Sequence, residues 1–360
     1  MSQLRKDPIS GDWIILATNR SKRPSQLDEK APLRKPAPVK SCPFEDPAKS
    51  GNVLLSRYPA AGPWRIAVIP NKYPALARAG AASGLPAATG PLVAPSRRGL
   101  YEAKAGVGIH ELIITRDHDR FFYGLKPNEA AEVLAVFQER YRAAQKTGQG
   151  AYALGFMNYG PSVGASIWHP HFQFLSLPFV PPHIAHSLAG ARAYFKKNKR
   201  CARCDIIKEE KKERKRIIAE NAHAIAFAPY VSKRPFEVSV MPKRHAAEFE
   251  KTPAAAMRGV AEVLQSVLGR IKKYANDPDV NFFIHSAPFD GAQGRPFDTA
   301  QGRPLDSAQG RISKYDYHHW HIEVYPYFSR LGGFEFGTGI YINIVDPDDA
   351  AGILRGGMRK

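Results

Sequence analysis

From Ser166 to Pro178 the chain reads SIWHPHFQFLSLP, an apolar run with His169, His171 and Gln173 on alternate positions. Alternation is the period of a strand, so these three share a face, about 6.6 Å between neighbours, while Phe172 and Phe174 turn the other way. Shorter apolar runs, DWIILAT (12–18), WRIAVIP (64–70) and IHELIIT (109–115), are rich in β-branched residues and predict buried strands. A helical period governs NEAAEVLAVFQERYRAAQK, which predicts a helix from Asn128 to about Lys146 with Gly148 just beyond its end. A second helix is predicted to open at Thr252, with Pro253 in its first turn, and to run towards Tyr274. Between two strand runs, ARAGAASGLPAATGPLVAPSRRG predicts a long loop.

The order of elements repeats. One cysteine (Cys42), strands, a helix, GFMN and HPHFQFLSLP make the first half. A cysteine pair (Cys201, Cys204), strands AIAFAP and FEVSVMP, a helix, NFFIH and HWHIEVYP make the second. The expectation is an α+β fold built from a duplicated unit, antiparallel sheets with packed helices, divided near residues 185–195 into 1–190 and 191–360. AQGRPFDTAQGRPLDSAQGR (292–311) repeats an octapeptide with little to bury, and predicts a disordered insertion at about 290–312.

Composition adds limits. With 360 residues, 44% of them hydrophobic and 11% aromatic, the chain can bury a sizeable core. No run approaches a membrane span, and MSQLRKDPISGDW lacks the apolar core of a secretory signal, so the expected compartment is the cytoplasm. The net charge of +19 invites a nucleic-acid partner, but the basic run from Lys196 to Arg216 is interrupted by Asp205, Glu209, Glu210 and Glu213. That mixture favours a solvated charged segment; a zinc-stabilised RNA-binding protein is the remote alternative, and no nucleic acid is expected. Three cysteines and no export signal argue against a disulfide framework.

The polar residues suggest chemistry. Cys42, Glu45, His118 and His169 in the first half, and Cys201, Cys204, His245 and His319 in the second, each give an x-x-spaced pair, a distant histidine and the first member of a His-x-His. Four ligands suit a closed zinc site, and a carboxylate can serve as one of them. The alternative is scattered histidines and buried thiols. If His169 holds metal, His171 is left free nearby, and a neutral imidazole can attack phosphorus and form a covalent intermediate. Gln173 could donate its amide N–H to a phosphoryl oxygen but has no titratable proton to give. That combination points to a transferase rather than a hydrolase. NYGPSVGAS (158–166) is a glycine-containing turn suited to offering backbone N–H groups to phosphate. Arg20 and Arg23, in RSKRP, could clamp a diphosphate.

RKDPISGDWIILATNRSKRP, CPFE, NKYPAL, NYGPSVGASIWHPHFQ, HWHIEVYP and GGFEFGTGIYIN together resemble the galactose-1-phosphate uridylyltransferase family, a branch of the histidine triad superfamily. The resemblance runs nearly end to end. It implies two histidine-triad-like units and a uridylyl exchange between UDP-glucose and hexose 1-phosphate through a nucleotidyl-histidine. His171 would be the nucleophile and Gln173 its partner. Asn71, Asn158, Gly164 and Ser166 match nucleotide- and phosphate-binding positions, Arg20 and Arg23 match arginines near the phosphates, and Phe334 and Glu335 match a hexose-contacting loop. Cys42, His118 and His169 match zinc ligands, and Glu45 stands where the family usually has a second cysteine. The second set is similar to the two-zinc members, which include ADP-glucose phosphorylases, so adenylyl transfer from ADP-glucose to phosphate is the alternative. The family often dimerises, which makes a homodimer an expectation.

Overall fold

The computed structural model describes residues 2–22, 36–76, 96–98, 100–103, 106–148, 150–275, 277–289, 314–328 and 331–357. Arg23, the octapeptide insertion and most of the Ala/Gly-rich loop lie outside them. In chain order the strands are β1 (Gln3–Lys6), β2 (Trp13–Leu16), β3 (Ser56–Tyr58), β4 (Ile66–Pro70), β5 (Ser96–Arg98), β6 (Tyr101–Ala103), β7 (Ile109–Thr115) and β8 (Tyr152–Tyr159). They continue with β9 (His171–Leu177), β10 (Ile217–Glu220), β11 (Ala224–Phe227), β12 (Val238–Pro242), β13 (Asp279–His285), β14 (His321–Tyr327) and β15 (Tyr341–Asn343). The helices are α1 (Pro127–Thr147), α2 (Pro182–Asn198), α3 (Ala202–Glu213), α4 (Ala254–Tyr274), α5 (Gly333–Thr338) and α6 (Pro347–Leu354).

Both long helices form, the first where its periodicity put it and the second opening at Ala254, two residues after the expected Thr252. α1 ends on Gly148, whose left-handed φ of 64° closes the last turn. α4 starts one residue after Pro253, which caps it. The basic segment is mostly solvated, as expected, and it is helical, closing α2 and forming α3. Most of its charges line exposed helix faces, with Lys208 pairing with Asp205 and Lys212 with Glu209 one turn apart, while Glu210 is buried against Arg216. The expected division at 190/191 falls inside α2.

Ten strands form one sheet in the order β10-β11-β12-β14-β13-β8-β9-β7-β4-β3, every pairing antiparallel. The order is a palindrome of two five-stranded halves that meet at β8 and β13. Its symmetry is legible in the register: Phe156 pairs with Gln173, and Phe283 pairs with Glu323, the residue equivalent to Gln173. Phe156 and Phe283 are therefore counterparts, and they pair with each other, which puts a twofold axis through that pair. A small sheet of β1, β2 and β15 ties the start of the chain to its end. There DWIILAT is only half buried, with Trp13 on the outside.

The alternation of β9 sorts its residues as the sequence implies: Phe172, Phe174 and Ser176 are buried, while His171, Gln173 and Leu175 are partly open. Phe172 and Phe174 enter one core, shared by both halves and covered by α1 and α4. Phe122, Phe137 and Phe282 pack edge-on or tilted against Phe172, and Tyr141 against Phe174. The opposite face is left for chemistry, over a smaller apolar patch of Phe44, Ile69, Leu112 and Ile114. Among the described residues no helix is long and apolar enough to cross a membrane.

Candidate active site and metal centres

The strand opens at His171, so His169 precedes it and strand alternation alone does not place its ring. Phe44 does, packing its ring at 5.2 Å from the His171 ring and 6.0 Å from that of His169. Beyond that contact the two imidazoles take different partners. His169 is fully buried, with Nδ1 3.5 Å from Cys42 Sγ and 3.2 Å from Glu45 Oε1, and Nε2 2.6 Å from the Thr115 carbonyl. His118 is arranged the same way, with Nδ1 2.6 Å from Glu45 Oε1 and Nε2 2.9 Å from the Ala37 carbonyl.

That pattern bears on a metal. A ring nitrogen facing a carbonyl must carry a proton and donate it, so Nε2–H of each ring is committed outward. The neutral ring then presents a Nδ1 lone pair to a carboxylate and a thiol, a set of donors that needs a cation or a further proton between them. Cys42, Glu45, His118 and His169 offer ligand atoms all within 4.8 Å of one another. The second predicted set also assembles: Cys201, Cys204, His245 and His319 converge within the same limit. Cys204 Sγ lies 3.4 Å from His245 Nδ1 and 3.5 Å from His319 Nδ1. Cys204, followed by the two imidazoles, holds the Cys201 thiol below its ordinary range, towards the thiolate a metal takes. Both donor sets fit a divalent cation of zinc type. A third group, His285, His321 and Glu323, was not anticipated as a set.

His171 belongs to none of these clusters. Its Nδ1 lies 2.9 Å from the His169 carbonyl, to which it donates, so Nε2 carries the lone pair. Burial pushes the imidazole below its usual range, which keeps it neutral. The ring borders an open cleft of about 280 Å³ whose walls include Phe121, Met157, Asn158, Ser166 and Trp168. In the second half His321 makes the equivalent contact to the His319 carbonyl at 3.1 Å. Its Nε2, however, faces Glu323 Oε1 at 3.4 Å, and its ring stacks on His285.

Not every expected residue arrives at the cleft. Asn158 and Ser166 line it, and Gly164, at φ +91°, closes the turn between them with Asn158 Nδ2 beside it. The expectation that this turn offers its backbone N–H groups to phosphate fails for four of them. Ser162 N–H donates to Asp279 Oδ2, Val163 and Ala165 N–H to the Gly160 carbonyl, and Gly164 N–H to that of Pro161. These four donors are engaged within the protein. Arg20 sits on a short 3₁₀ turn after β2 and does not line the cleft. Phe334 and Glu335 lie on α5, and Glu335 borders a different pocket with Lys233, Arg234 and Tyr341. Asn71 does not contact Gln173; the side chains of both lie 3.0 Å from Nε2 of His110, a residue that nothing in the sequence marked.

Known proteins resemble the chain along nearly its whole length. A family model described as galactose-1-phosphate uridyl transferase, N-terminal domain, matches residues 1–181, and the model for the C-terminal domain of the same family matches 188–325. An ADP-glucose phosphorylase of Arabidopsis thaliana is 31% identical over 98% of this chain and 92% of its own length. A galactose-1-phosphate uridylyltransferase of Thermotoga maritima is 25% identical over 99% of this chain and 98% of its own. The crystal structure of an Arabidopsis thaliana ADP-glucose phosphorylase with bound ADP-glucose superposes with a TM-score of 0.78, at 29% identity and over 100% of both chains. Such relatives define the class as a nucleotidyltransferase acting on nucleotide sugars and sugar phosphates. The chain belongs to the galactose-1-phosphate uridyl transferase family.

Proposed function

We propose that the protein moves a nucleotidyl group from a nucleotide sugar to a phosphate acceptor through a covalent intermediate on His171. The observation that carries this is the contact of His171 Nδ1 with the His169 carbonyl, which leaves Nε2 as a neutral nucleophile beside the cleft. Nε2 attacks the α-phosphorus, the bond to the sugar-phosphate oxygen breaks, and hexose 1-phosphate leaves. As the N–P bond forms, positive charge grows on the ring, and the Nδ1–H bond to the carbonyl strengthens. An incoming phosphate then attacks the same phosphorus and releases the imidazole. The leaving group is already a phosphate, so no general acid is needed, which suits Gln173 as an N–H donor with no proton to transfer.

We place structural zinc in both four-residue clusters; bound there, it would fix the ligand side chains without entering the reaction. His169 links that role to the nucleophile, because the same residue offers Nδ1 to the cluster and its carbonyl to His171. The chain reads as two repeats, 1–190 and 191–360, with the reactive histidine in the first.

For the donor, ADP-glucose with phosphate as acceptor is placed first, supported by the 31% identical relative and the ADP-glucose-bound structure. UDP-glucose with hexose 1-phosphate, first choice on sequence alone, is the second reading, supported by the family description and the Thermotoga relative. One experiment tests both chemistry and donor. Purified protein is mixed with equal ADP-glucose and UDP-glucose, and intact mass is read at neutral pH. The wild type should gain one nucleotidyl group, adenylyl in excess, and His171→Asn none. No adduct from either donor, or an adduct that persists in His171→Asn, overturns the mechanism; a uridylyl adduct in excess reverses the order of donors.

A further inference from the structure

We infer that His110 is a positioning residue for the transfer, setting which end of the Gln173 amide faces the reacting phosphate. The inference rests on the proposed role of Gln173 and supplies what that role lacks, a reason for the amide to be oriented. An amide whose oxygen faced a phosphoryl oxygen would repel it.

The geometry starts from the sheet. Leu112 pairs with Gln173 and His110 with Leu175 across β7 and β9. His110 and Gln173 are thus diagonal neighbours on one face, within reach for long side chains. His110 Nε2 lies 3.0 Å from Gln173 Oε1, and its Nδ1 lies 3.0 Å from the backbone nitrogen of Ala75. A backbone N–H can only donate, so His110 Nδ1 must be the acceptor, and in the neutral ring the proton sits on Nε2. Burial favours that neutral ring. An Nε2–H can bond only to an oxygen, so the oxygen of the Gln173 amide turns to His110 and its NH₂ is left for the other side. The backbone of Ala75 thereby determines, through one imidazole, the direction of an amide on another strand. Asn71 is held beside the ring by other contacts: its N–H donates to the His110 carbonyl and its Oδ1 accepts from Tyr73 N–H. Its Nδ2, also a donor, stands 3.0 Å from Nε2 and makes no bond to an Nε2–H, so the one proton of the ring goes to Gln173.

The second half supports the coupling. The position equivalent to Gln173 is Glu323, and applying the same register step to β12 makes Glu237 the equivalent of His110. Both members of the pair differ together, His–Gln in one half and Glu–Glu in the other.

The test is a double-mutant cycle on the full chain, reading the rate of His171 nucleotidylation at saturating and at limiting donor. His110→Phe keeps the ring and loses the donor. It should slow labelling at saturation by up to about 100-fold, the lower end of the roughly 10²–10³-fold cost of losing a transition-state donor outright, with the half-saturating donor concentration little changed. His110→Gln, which restores an N–H at similar reach, should recover most of the rate. In a Gln173→Ala background His110→Phe should have no further effect, because it acts through that amide. An equal drop in both backgrounds, a change confined to half-saturation, or no drop at all overturns the inference. Labelling by wild type at its normal rate in those cases keeps the parent mechanism standing; if wild type never labels, both fall.

Discussion

Gly164 bends the chain through φ +91° and ψ 14° between two residues of the cleft wall. A side chain there meets two penalties. The left-handed region costs an L-residue about 1–2 kcal/mol, and a Cβ would stand 3.3 Å from Asn158 Nδ2. Gly164→Ala should therefore lose about 1–2 kcal/mol in urea unfolding. It should also raise KM for the nucleotide sugar several-fold while leaving adduct formation on His171 intact at saturation. At this scale the sequence was most informative where residue type and spacing coincide. His-x-His, Cys-x-x-Cys and their distant partners announced two ligand sets, and both sets assemble. His110 was silent because a lone histidine in an apolar strand has no pattern; only the diagonal contact with Gln173 gives it meaning. The glycine turn misled for a related reason. Its composition permits exposed N–H groups, but three of them bond to carbonyls of the turn itself and that of Ser162 to Asp279, from a strand more than a hundred residues away.

Secondary structure was legible wherever burial enforces a period. β9 and α1 each hide one face, so their apolar positions recur at two and at 3.6 residues. α2 and α3 bury few side chains, Leu188 and Ala191 in one and Ala202, Ile207 and Glu210 in the other, so their sequences carry little periodic signal. How elements are fastened was not legible at all. Glu111, on β7, is fully buried, and Arg140, on α1, meets it with Nε at 2.7 Å and Nη2 at 2.9 Å. Removing one charge from such a pair leaves the other buried without its bidentate counter-charge. Arg140→Met should cost about 3–5 kcal/mol, seen as a lower urea midpoint, whereas a paired replacement, Glu111→Leu with Arg140→Met, should recover much of the loss.

Across the whole molecule the two halves do not own separate cores. Phe282, on β13, packs against Phe122 and Phe172 of the first half, within a cluster that draws on α1 and α4 alike. Phe282→Ala should cost about 3–5 kcal/mol, and scanning calorimetry should show a single transition shifted downward. Two resolved transitions, one per half, would show the halves to be thermodynamically independent. The repeat was visible in the order of motifs, but not the seam that joins its copies, since pairing partners so far apart leave no local trace.

That seam has a consequence. Two copies of a unit meeting about a twofold axis must be alike on both sides while they are separate molecules, because every substitution appears in both. Joined in one chain, with Phe156 and Phe283 facing each other across the axis, the copies are released from that mirror. One side keeps an imidazole opening on a cleft, and the other closes its counterpart against Glu323 and His285. Asymmetry of this kind is open to a fused pair and closed to a pair of identical subunits.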